Sequence, residues 1–171
     1  SLFHGEGVLD WGDGDDRYQG QFKNNEFDGQ GVYVWSSGSR YEGEYKDGLE
    51  HGQGILIYAE GDRYEGGWKD GFEHGQGIYV YADGSYYEGE IKHGLFEGQG
   101  VFVFNDGTIY DGKWHRSIPT NIGVKILPNG IQYDGNWKDT FVQDFELYRI
   151  GKDAHYEGEY KNDLYHGQGT L

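Results

Sequence analysis

A tyrosine recurs every 23 residues, at Tyr18, Tyr41, Tyr64, Tyr87, Tyr110, Tyr133 and Tyr156. Each is followed two positions later by a glycine, from Gly20 and Gly43 through to Gly158. No other feature of the chain restricts its fold as strongly. A fixed period of this length specifies one supersecondary unit copied along the sequence. Each copy is too small to bury its own apolar face, so neighbours must stack to form a continuous core. Chains of this kind offer extended surfaces to partners rather than enclosed cavities for chemistry.

With the tyrosine as position 1, the copies open as YEGEYK (41–46), YEGGWK (64–69) and YEGEIK (87–92). This apolar–polar alternation predicts a strand. A loop is expected at DGLEHG (47–52), followed by a second strand in QGILIY (53–58), QGIYVY (76–81) and QGVFVF (99–104). The second strand ends in Asp83-Gly84, Asp106-Gly107 or Asn129-Gly130, dipeptides suited to a two-residue type I′ turn. That turn would pair Tyr81 with Tyr86, Val80 with Tyr87 and Ile78 with Gly89. Across the longer loop, Tyr64 would face Val80. One face would then carry Tyr87, Gly89, Ile91, Ile78 and Val80, and the other Glu88, Glu90, Tyr79, Tyr81 and Tyr86. The recurring glycines leave room for an aromatic ring to lie across a strand pair. The fold expected is all-β: an elongated, single-layer antiparallel β-meander of tandem 23-residue hairpins. About fourteen strands spaced at roughly 4.8 Å would extend about 65 Å. The sheet should coil into a trough lined by Tyr and Trp.

YEGEYKDGLEHGQG (41–54) and YEGGWKDGFEHGQGIYVYADG (64–84) resemble the MORN repeat, the membrane occupation and recognition nexus. The resemblance covers nearly the whole chain as one array. A partial copy spans 4–17, copies start at 18, 41, 64, 87, 110 and 133, and a partial copy spans 156–171. The chain lacks an initiator Met and ends within a copy, so it reads as a fragment of a larger protein. The resemblance implies a single-layer meander and a non-enzymatic protein-interaction scaffold. It implies a cytoplasmic setting, associated with cytoskeleton, cilium or axoneme, or with membrane junctions. The alternative it implies is a lipid-headgroup module serving an enzyme domain elsewhere in the protein.

Charge favours the protein partner. The chain carries a net charge of −16, which repels nucleic acid and anionic lipid and suits a basic or amphipathic segment. With no cysteine there is no disulfide framework, as in cytosolic proteins. No metal or cofactor is expected. His51, His74 and His166 share one position, but neighbouring copies lie about 10 Å apart, too far to share a zinc ligated at roughly 2 Å. The acidic ladder Glu42, Glu65, Glu88, Asp111, Asp134 and Glu157 reads as a solvated face, or as a surface steering a basic partner. No nucleophile elbow, phosphate loop or cysteine nucleophile is present, so no catalytic residue is assigned.

The candidate partner-binding residues are the rings expected to line the trough: Tyr41, Tyr45, Tyr64, Trp68, Tyr87, Tyr110, Trp114, Tyr133 and Trp137. A second candidate lies where the pattern breaks. HRSIPTN (115–121) and KDTFVQDFE (138–146) lose the regular loop glycines, so these loops are expected to take another shape. They would display Ile118, Pro119, Phe141, Val142 and Phe145 as a specialised or homodimer surface. A further apolar ladder, Leu49, Phe72, Leu95, Ile118, Phe141 and Leu164, is expected to tuck under the sheet and seal it.

Overall fold

A computed structural model describes residues 2–12, 14–134, 157–161 and 164–170. Twelve strands form one antiparallel sheet in strict chain order. They are β1 (Gly5–Asp10), β2 (Arg17–Lys23), β3 (Glu26–Val34), β4 (Arg40–Lys46), β5 (Leu49–Ile57) and β6 (Arg63–Lys69). The sheet continues through β7 (Phe72–Val80), β8 (Tyr86–Lys92), β9 (Leu95–Val103), β10 (Ile109–His115), β11 (Ile118–Ile126) and β12 (Gln132–Asp134). A separate hairpin pairs β13 (Glu157–Lys161) with β14 (Leu164–Thr170). The all-β single-layer meander is therefore as the period predicts.

The two turns of each copy are exchanged relative to expectation. The tight two-residue turn lies at Asp70-Gly71, between paired Lys69 and Phe72, with φ of 50° and 81°. Positive φ at both central positions is the type I′ signature. DGLEHG is thus a turn followed directly by strand, since β5 already begins at Leu49. At Asp83-Gly84 the loop has three residues instead. The Gly84 amide donates to the Tyr81 carbonyl (2.9 Å), the Tyr81 amide donates to the Ser85 carbonyl (2.9 Å), and only Gly84 has positive φ, at 88°. This is a type I turn closed by a left-handed glycine. Asp83 supports it by accepting from the Ser85 amide (2.9 Å) and hydroxyl (2.6 Å).

That extra residue shifts the register by one. Val80 faces Tyr86, Tyr79 faces Tyr87, and Gly77 faces Gly89; across the tight turn, Tyr64 faces Tyr79. Because side chains alternate with period 2, a one-residue shift transfers a whole strand's set to the opposite face. Tyr79 and Tyr81 therefore join Tyr87 and Ile91 on the aromatic face. Ile78, facing Glu65 and Glu88, lies on the acidic outer face and is exposed.

The corrected register aligns a glycine at one height on every strand from β1 to β11. Gly7, Gly20, Gly31, Gly43, Gly54, Gly66, Gly77, Gly89, Gly100, Gly112 and Gly123 are successive cross-strand partners. Each repeat tyrosine from Tyr18 to Tyr110 lays its ring over the glycine pair of its own hairpin. A Cβ added at Gly54 would sit 2.3 Å from the Tyr41 hydroxyl oxygen. Neighbouring copies are also latched at the tight turns. Gly48 donates its amide to the Phe27 carbonyl, Gly71 to Glu50, Gly94 to Glu73 and Ser117 to Phe96, at 2.9–3.0 Å.

The irregular loop 115–121 keeps the common shape, contrary to expectation. Arg116 and Ser117 adopt φ of 52° and 63° in place of the usual turn residues. The Ser117 hydroxyl offsets this strain by accepting from the Phe96 amide (3.0 Å). Residues 138–146, with Trp137, Phe141, Val142 and Phe145, lie outside the described residues.

Candidate binding groove on the aromatic face

The repeat tyrosines organise the aromatic face. The hydroxyls of Tyr18, Tyr41, Tyr64 and Tyr87 donate to the carbonyl three residues on, that of Gln21, Glu44, Gly67 and Glu90 respectively, at 2.8–3.0 Å, while that of Tyr110 lies nearer the Thr120 carbonyl (2.7 Å) than the Lys113 carbonyl (3.1 Å). Each ring is edge-on to the residue at position 5 where that residue is aromatic, as in Tyr64–Trp68 (5.4 Å) and Tyr110–Trp114 (5.2 Å). The Trp68 and Trp114 ring N–H groups donate to the Gly54 and Gly100 carbonyls of the preceding hairpin. Burial raises these phenols above their ordinary pKa, Tyr18 and Tyr110 to about 12.

Position 10 of each copy faces position 5 across the hairpin and so lies on this same face. Its occupants are Phe27, Glu50, Glu73, Phe96 and Pro119. Phe27 stacks on Tyr18 and Phe96 on Tyr87, each with centroids 3.7 Å apart and planes inclined by 14° and 6°. In the two copies between them, a carboxylate stands where the stacking ring would be. Glu73 is only 8% exposed, and its Oε1 accepts from the Tyr58 hydroxyl (3.1 Å). Burial pushes its carboxyl up to about 7, against the hydrogen bond from Tyr58, which acts downward. Burial also raises Glu50, whose side chain accepts no bond from another described residue. Neither glutamate has an ionic partner among the described residues.

A groove of about 370 Å³ opens over this pair, walled by Trp35, Glu50, Tyr58, Trp68, Phe72 and Glu73. The tight-turn glycines form its floor edge. A Cβ placed on Gly71 would lie 3.7 Å from Glu50 Oε2, and one on Gly94 would lie 4.0 Å from Glu73 Oε2. One oxygen of each carboxylate therefore faces the turns that border the groove. A second, smaller cleft of about 230 Å³ follows between Tyr79, Tyr81, Leu95, Phe96, Arg116 and Ser117.

The MORN repeat profile matches residues 1–16, 18–40, 41–63, 64–86, 87–109, 110–132 and 156–171. The chain belongs to the MORN-repeat family. Among curated proteins, none matches it. Among solved structures, it is similar to the SAS-4 (dCPAP) TCP domain of Drosophila melanogaster, solved in complex with a proline-rich motif of Ana2 (dSTIL). That similarity has 13% identity and a TM-score of 0.45, over 71% of this chain and 66% of that one.

Most of the predicted contact rings prove to be the core of the MORN array. Tyr41, Tyr64, Tyr87 and Tyr110 are completely buried, and Tyr45, Trp68 and Trp114 nearly so. Rings covered on all sides by neighbours hold the sheet together and present no open face; only Trp68 reaches a groove wall. Tyr133, on β12, is half exposed. Pro119 is buried at position 10 instead of being displayed, and Ile118 is half-buried. Three members of the apolar ladder do the reverse of sealing: Leu49, Phe72 and Leu95 stand exposed beside the tight turns, while Phe141 and the Leu164 side chain lie outside what the structure describes. Trp35, Glu50, Tyr58 and Glu73 were not singled out in the sequence. The exchange of Phe for Glu at one repeat position was visible there, but the assumed turn length hid which face it occupies.

Proposed function

We propose that this MORN array is a non-enzymatic protein-interaction scaffold that holds a partner segment along its aromatic face. The observation that carries this reading is the groove over Glu50 and Glu73, which joins aromatic walls to unpaired carboxylates and is rimmed by exposed Phe72. Family membership agrees with it, as does a net charge of −16, which draws a basic or amphipathic partner. A cytoplasmic setting on cytoskeletal, ciliary or membrane-associated assemblies belongs to the same reading and rests on the family alone. The test is quantitative capture from cytosolic and membrane fractions, with the native chain and a Phe72→Ser, Leu95→Ser variant as baits. A saturable protein partner lost from the variant is the expected result. Capture indifferent to the variant overturns the placement on this face.

A lipid-headgroup reading has one observation in its favour. Lys69 pairs with exposed Phe72, and Lys92 with exposed Leu95, along one edge of the sheet. Burial first, and then the charges of His93, Lys69 and Lys92, depress the His74 imidazolium there. Cations beside exposed apolar side chains suit an anionic membrane surface. Flotation that depends on phosphatidylserine content would favour this reading, and flotation indifferent to it would remove it.

A further inference from the structure

We propose that the groove over Glu50 and Glu73 takes the guanidinium of an arginine on the partner segment, bound between the two carboxylates and against the aromatic walls. This deepens the scaffold reading and rests on it. The first ground is the contrast among copies on one backbone. Phe27 and Phe96 close the face by stacking on their tyrosines, whereas at Glu50 and Glu73 no ring stacks on Tyr41 or Tyr64, which stay buried under edge-on neighbours such as Trp68 while the groove opens over the carboxylates. Removing a carboxylate from water is costly unless it is paired and hydrogen-bonded. Here one Tyr58 hydroxyl on Glu73 is the only side-chain donor the two groups receive from other described residues. The site is thus short of donors and of positive charge, and an incoming cation supplies both.

The chemistry of the walls selects among cations. A guanidinium is planar, brings five N–H donors, sheds water more readily than an ammonium and lies flat on aromatic faces. It can therefore serve two carboxylates at once while covering Trp35 or Trp68. An ammonium is a compact, strongly hydrated charge, and a quaternary ammonium has no N–H to offer the glutamates. A bare calcium ion, with ligands at about 2.4 Å, needs more oxygens than two carboxylates on strands about 10 Å apart supply.

The test has two arms. In the first, the full chain is titrated with N-acetyl-arginine amide, its lysine and trimethyl-lysine counterparts, and the neutral isostere N-acetyl-citrulline amide, following the indole N–H resonances of Trp35 and Trp68. Arginine should shift both saturably, with citrulline at least about ten-fold weaker, the scale of one charge-assisted hydrogen bond. The Glu50→Gln, Glu73→Gln double variant should lose the response, and so should Glu50→Phe, Glu73→Phe, which copies the flanking repeats. Glu88→Gln on the outer face should keep it. Equal response to citrulline, tighter binding of trimethyl-lysine, or a response unchanged in the double variants overturns the inference. In the second arm, each arginine of the captured segment is replaced by lysine. One replacement should weaken capture about ten-fold. If none does, the arginine site fails while the scaffold reading stands. If no partner is captured, that reading fails and the titration still reports on the groove.

Discussion

The copies starting at Tyr18 and Tyr87 and those starting at Tyr41 and Tyr64 share one backbone and one glycine pair beneath each tyrosine. They differ on the aromatic face at position 10. Phenylalanine there stacks on the tyrosine at 3.7 Å and completes a dry layer. Glutamate there leaves a groove and carries an ionisable group into poor solvation. The flanking copies thus devote this position to cohesion, and the central copies sacrifice cohesion for a polar recess. The difference separates residues that make the array from residues that give one stretch of it a chemical character.

The strongest challenge to this contrast is to remove the tyrosines themselves. Tyr87→Ala should cost near the upper end of about 3–5 kcal/mol, because the stacked Phe96 loses its partner as well. Tyr64→Ala should cost nearer the lower end of about 3–5 kcal/mol, since no ring stacks on it. Urea unfolding of the two variants checks the order, and equal losses would remove the distinction. Next in size, Phe96→Glu should convert a flanking copy into a central one, at a cost of about 2–4 kcal/mol at pH 8 and less at pH 4.

Glu73→Gln sharpens the same point through pH. The folded carboxyl titrates at about 7 and the unfolded one at the ordinary glutamate value of 4.5, so the folded state binds more protons between those values. Its stabilising effect is complete below pH 4.5 and is lost as pH rises through 7. The Gln variant should therefore match the native chain at pH 4 and exceed it by about 3 kcal/mol at pH 8. Thermal melts across that range would show an unvarying difference if Glu73 were ordinarily solvated. The smallest effect belongs to the outer face. Arg40→Gln breaks the exposed pair with Glu42 and should change stability by no more than about 0.5 kcal/mol in either kind of background.

The repeat frame, the strand identities and the chain-order meander were legible because the tyrosine–glycine period and the alternation of YEGEYK are local signals. The faces were not. Asp70-Gly71 and Asp83-Gly84 read alike, yet the first is a two-residue turn and the second closes a three-residue loop. Loop length there depends on which pairing buries the tyrosines, a property of the assembled sheet. That single residue moved Val80 and Ile78 off the aromatic face and brought Tyr79 and Tyr81 onto it. The loop 115–121 misled in the other direction. Its missing glycines suggested a new shape, but Ser117 holds the old one with its own hydroxyl. Four of the tyrosines chosen as contact residues, Tyr41, Tyr64, Tyr87 and Tyr110, are ones the fold cannot expose, because each covers a glycine pair of its own hairpin.

The amide-to-carbonyl latches between successive copies give the array a mechanical character. Gly48, Gly71, Gly94 and Ser117 each fasten one hairpin tip to the strand before it. Tension applied at one end loads these fasteners in sequence, so the sheet should peel hairpin by hairpin. Each step frees 23 residues. At about 3.5 Å per residue that is roughly 80 Å of chain, enough for a scaffold under load to lengthen in fixed increments.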